Sequence, residues 1–153
     1  MATYLSAELS GVNATANQTT VTSSSYKPRA TVYGARLKRI RATITLGSTA
    51  ITTSDLIQLG NLPAGATFAF GLITPSATLG SSTLAIGNSG TANKYGAATT
   101  YTATVPTLFG QAAAIGAADP ALSAEETVYA TVGTASLPTS GTIVIDLFYS
   151  MPN

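Results

Sequence analysis

Few residues in this chain can do chemistry, and the missing types narrow the field first. Its 153 residues include neither His nor Cys. A serine nucleophile needs a base within hydrogen-bond reach, and imidazole, the usual one, is absent. Lys27, Lys38 and Lys94 leave a Ser–Lys pair as the remaining route, but no spacing ties one of them to a particular serine. Paired carboxylates could come from Asp55, Asp119, Glu125, Glu126 and Asp146. Glycoside hydrolysis would set two of them across a cleft lined by sugar-stacking aromatics, and the chain has no Trp. Glu125 and Glu126, if on a strand, point to opposite faces and do not share a site. Without thiolate or imidazole donors, zinc and related ions lack their usual ligands, and oxygen ligands offer at most a weak calcium site. The chain is therefore read as non-enzymatic, with no cofactor and no metal.

Charge supplies the one clear asymmetry. Six of the seven basic residues, Lys27, Arg29, Arg36, Lys38, Arg39 and Arg41, follow one another with no acid among them. From Arg39 onward Ile40, Ala42, Ile44 and Leu46 alternate with Arg39, Arg41, Thr43 and Thr45, as on a strand with one apolar and one basic side. Arg36, Lys38, Arg39 and Arg41 are thus the candidate interface residues, facing an acidic protein surface. Direct nucleic-acid contact is the weaker alternative, because only Tyr26 and Tyr33 stand near enough to stack on bases. The glycine-containing stretch from Gly87 to Asn93 lacks the Gly-Lys-Ser/Thr ending of a phosphate cradle and reads as a surface loop.

The elements that must position these residues are strands. Leu56 to Ile73 reads as strand, tight turn, strand, with Pro63 and Gly65 shaping the turn and Ala66, Phe68, Phe70 and Leu72 expected on one face at the centre of the core. Ser82–Ile86 predicts a short strand with Leu84 and Ile86 inward, and Ala98–Val105 alternates as a half-buried strand. Pro106 and Gly110 bracket Thr107–Phe109, and the Ala/Gly run from Gln111 to Ala118 reads as a loop or a short helical turn. Ser123–Glu126 has capping-box spacing, yet the β-branched run Thr127–Val132 after it favours a strand. Thr142–Tyr149 is the strongest strand former, and its apolar residues on both faces predict a central strand covered on both sides.

Six to eight strands, Gly/Pro/Ser/Asn turns and no amphipathic helix predict an all-β fold: a single antiparallel β-sandwich or jelly-roll-like domain over residues 30–153. Residues 1–29, rich in Thr, Ser, Asn and Gln, predict an extended N-terminal arm that orders on a neighbour. Charged residues make up 8% of the chain, against about 25% in an ordinary soluble domain. A nearly neutral, hydroxyl-rich surface suits a subunit packed among copies or against a larger particle. The first residues have neither a basic segment nor an apolar run of the secretory kind, and no window is apolar enough for a membrane span, so synthesis in a cytoplasm is expected.

Four pieces of the sequence carry a resemblance: Leu59-Gly60-Asn61-Leu62-Pro63-Ala64-Gly65-Ala66; Leu84-Ala85-Ile86-Gly87 with Lys94-Tyr95; Leu122-Ser123-Ala124-Glu125-Glu126 leading into Val128–Val132; and Ser140-Gly141-Thr142-Ile143-Val144-Ile145-Asp146. Over Arg36–Tyr149 the chain resembles the head decoration, or cement, proteins of tailed bacteriophages. The resemblance implies a homotrimer on the virion surface, made in the bacterial host cytoplasm, that binds the major capsid protein and braces the head lattice. It carries no catalytic, cofactor-binding or metal residues. A tail, baseplate or head-fibre component is the alternative within the virion. A carbohydrate-binding sandwich is the more distant one, since seven Tyr and no Trp make a poor sugar platform.

Overall fold

The computed structural model describes residues 36–110 and 121–151. The expected arm over residues 1–29 and the Ala/Gly run from Gln111 lie outside them. Eight strands follow one another: β1 (Arg36–Leu46), β2 (Leu56–Leu62), β3 (Thr67–Pro75), β4 (Thr83–Gly87), β5 (Gly96–Thr100), β6 (Thr107–Phe109), β7 (Glu126–Gly133) and β8 (Gly141–Met151). They form two four-stranded sheets, β1-β8-β3-β6 and β2-β7-β4-β5, and every paired neighbour is antiparallel. Among these pairs β1 meets β8, β2 meets β7, β3 meets β6 and β4 meets β5, which is one long nested hairpin rolled into two layers. That is the jelly-roll form of the expected sandwich.

The core lies between the layers and follows the period of two. β8 contributes Ile143, Ile145 and Leu147, all without exposed surface, and faces Val128, Ala130 and Val132 of β7 and Leu84 and Ile86 of β4. Burying each large aliphatic side chain is worth roughly 1.5–3 kcal/mol. β1 adds its apolar side, Ile40, Ala42, Ile44 and Leu46, as its alternation predicts. Tyr101 and Tyr149 are buried and fill the core rather than an exposed platform.

Three expectations need correction. A bulge between Phe68 and Phe70 breaks the face expected to run from Ala66 to Leu72. Phe68 pairs with inward-facing Tyr149, whereas Phe70 pairs with Phe148 and Leu72 with Asp146, on the outer side of the sheet. The extra residue in one strand reverses the facing of everything after it. Second, the strand expected over Ala98–Val105 stops at Thr100, because the chain turns to bury Tyr101, whose carbonyl accepts from Leu79 N at 2.9 Å. Third, β8 is central but buries one face fully, while Val144 and Phe148 on the other are half-buried with no described element packed over them.

Gly71 is the tightest point in the first sheet. A Cβ there would lie 2.0 Å from Cζ of Phe109, whose ring is buried across β6. The ring cannot retreat without displacing its neighbour Phe68, stacked on it at a centroid distance of 6.3 Å. Gly71→Ala is expected to cost about 1–3 kcal/mol by overpacking, read as a lower urea midpoint with an unchanged slope.

Candidate interaction surface

The pleat divides the four basic candidates of β1. Arg39 and Arg41 pair with Phe148 and Asp146 and so project from the outer side of the first sheet, with Thr43 and Thr45. Arg36 and Lys38 share the parity of Ile40, which is the inward side, but both are exposed, at the start of this edge strand. The sequence places all four on one strand, and the structure assigns them to two surfaces.

Asp146 ties Arg41 to the sheet. Arg41 Nε donates to Asp146 Oδ1 and Nη2 to Oδ2, both at 2.8 Å, a two-pronged fit in which the planar guanidinium matches the carboxylate. Arg39 Nε stands 3.9 Å from the same carboxylate. The Arg41 fork holds the Asp146 carboxyl below the ordinary carboxylate range, against the opposing pull of burial. Asp146 is 7% exposed in the middle of β8, where the fork also satisfies a carboxylate largely removed from water. Around this pair the outer side is apolar. Phe70 and Phe148 stack with centroids 4.7 Å apart, Leu72 lies in register with Leu108, and Leu37 and Leu108 are 56% and 44% exposed.

A second polar cluster closes the opposite layer. Glu126 opens β7 on its inward side, in register with Leu62, at the rim of the core. Its carboxylate accepts from Lys94 Nζ, from the Tyr95 hydroxyl and from Asn88 Nδ2. The Tyr95 ring lies on Phe68 at 4.5 Å, so the hydroxyl joins the carboxylate to the aromatic end of the core. Asn88 Oδ1 also accepts from the backbone N of Gly90 and Thr91, folding the predicted surface loop back over Gly87. Glu125, its sequence neighbour, points elsewhere and accepts from Asn61 Nδ2 at 2.7 Å. The two carboxylates therefore share no site, as their adjacency predicts. Among the described residues no group of three His, Cys, Asp or Glu side chains is placed to hold a metal ion.

No family model matches the sequence, and neither does any curated protein. Solved structures do match the fold. A chain in the capsid asymmetric unit of cyanophage Pam1 superposes with a TM-score of 0.57 at 19% identity, over 78% of this chain and 88% of that one. A chain in the capsid of Ralstonia phage GP4 gives 0.58 at 23%, over 78% and 85%. One in the acid-stable capsid structure of Helicobacter pylori bacteriophage KHP30 gives 0.54 at 16%, over 76% and 89%. The fold is that of phage capsid chains. In each case the larger share is that of the other chain, so the matched chains are slightly shorter than this one and almost wholly accounted for.

Arg41→Ala leaves Asp146 with only a distant partner and is expected to lower Tm by several times the change caused by Arg39→Ala, in paired thermal melts. Acid should loosen the fold through Glu126. Burial pushes its carboxyl up, but the Lys94, Tyr95 and Asn88 hydrogen bonds outweigh this and bring it below the ordinary value. A carboxyl depressed by folding stabilises fully above its unfolded value, about 4.3 for Glu, and that contribution fades as pH falls through the folded value. Glu126→Gln is expected to be less stable than the parent at pH 7 and to show a shallower loss below pH ~4.3 in urea titrations at stepped pH.

Proposed function

We propose that the chain is a non-enzymatic structural protein of a tailed-phage virion, a decoration or cement subunit on the head surface. The observation that carries this is the near-complete overlap of its jelly roll with chains of similar length in three phage capsid structures. The sandwich closes its own core, so it can fold before it meets a lattice, as an added subunit must. A charged fraction of 8% suits a protein that spends its life packed against others. Under this reading the chain is made in the host cytoplasm and joins the expanded head as a homotrimer.

Bracing works by multivalency. Weak contacts to several shell subunits, joined through one rigid body, add up to tight attachment because each later contact is intramolecular. Arg36 and Lys38, exposed together at the start of edge strand β1, are the residues aimed at acidic shell surface, with Arg39 and Arg41 beside them on the outer face. The test is co-sedimentation of purified protein with expanded, undecorated heads of the encoding phage. Saturation near one copy per shell subunit is expected, and the joint reversal Arg36→Glu and Lys38→Glu should weaken binding most at low salt. No binding, or a handful of copies per head, would assign the chain to a tail, baseplate or vertex fibre instead.

A further inference from the structure

The described charges sort by layer. The bases Arg36, Lys38, Arg39 and Arg41 all belong to β1 of the first sheet, and Lys94 lies beside the second. The acids Asp55, Glu125 and Glu126 adjoin β2 and β7 of the second sheet, and Asp146 lies in the first. The two exceptions are each used up by a pair within their own layer, Lys94 with Glu126 and Asp146 with Arg41. What is left over is cationic on the first sheet and anionic on the second. Arg39 is 51% exposed beside the Phe70–Phe148 stack. On the second sheet, Asp55 and Glu125 sit at the two ends of β2, both exposed, and between them lies Leu56, 51% exposed on the outer side in register with Thr131.

We infer that copies of this chain associate head to tail, the outer face of the first sheet of one copy resting on the β2 side of the second sheet of the next. Each face offers exposed leucine beside a surplus charge, and the charges are opposite. The pairing is heterologous: an isologous contact of two first sheets would press two faces of surplus positive charge together, which repels. Burial of the Arg41–Asp146 pair in such a contact needs no partner charge, because the pair is already neutral within its own subunit. A polyanionic occupant fits less well, since Phe70 and Phe148 stack on each other and Asp146 lies among the arginines. This inference rests on the proposed homotrimer, for which it names the two joining faces, and its test in solution needs no capsid.

Sedimentation equilibrium of the full-length protein tests it. The wild type is expected to exceed the monomer mass at low salt and to lose mass as salt rises. Arg39→Glu and Glu125→Lys should each sediment as monomer. Mixed in equal amounts they should sediment above the monomer mass, because the reversed face of one then meets the reversed face of the other. A monomeric wild type, an unchanged mass in either variant, or a mixture that stays monomeric would overturn the head-to-tail contact. Tight DNA binding by the wild type that Arg39→Glu abolishes, with mass unaltered, would overturn it too and reassign the face to a polyanion.

Discussion

Everything in this fold depends on β8 being hydrogen-bonded on both sides while one of its faces is wholly out of water. Ile143, Ile145 and Leu147 have no exposed surface, and β1 and β3 flank the strand over most of its length. Those pairings fix the register of the first sheet, and a slip of one residue would carry the three aliphatics to the outside. The same register sets what stands on the far side. Phe148 meets Phe70 and Asp146 meets Arg41 only because Ile145 and Leu147 face inward.

The bulge in β3 is the device that makes the outer face unusual. With unbroken alternation, Phe70 and Leu72 would join Phe68 in the core, and Gly71 and Ile73 would turn outward in their place. One added residue sends an aromatic and a leucine outward beside two arginines. The apolar content of that face is therefore placed by backbone geometry, at a point where a bulge also increases the local twist of the strand.

How far the sequence could be read follows from the range of each interaction. β1 and β4 were legible through a period of two and β7 and β8 through runs of β-branched and apolar residues, both local signals, and the turn at Pro63–Gly65 declared itself through its residues. The bulge was not, since no Gly or Pro marks it and only pairing with β8 reveals it. The end of β5 was hidden in the same way: Thr and Ala continue the alternation past the point where Tyr101 turns inward. The basic strand was evident, but that Arg36 and Lys38 stay exposed on its inward parity depends on what the second sheet sets opposite them. The Glu126 cluster gathers Asn88, Lys94 and Tyr95 across 31 to 38 positions, and the Arg41–Asp146 pair spans 105, distances at which one sequence carries no pairing information.

The nested hairpin also has a bearing on how the molecule comes into being. Its outermost pair joins the first described strand to the last, and the last is central to its sheet. On the ribosome, β1 and β3 emerge with their shared neighbour still unmade, so the first sheet has no middle until β8 has been made. Contacts this distant in sequence close slowly, since loop entropy must be overcome before they contribute anything. The nascent chain thus passes through an interval with a gapped sheet and two unpaired strand edges, and late completion separates the time of synthesis from the time at which the outer surfaces first exist.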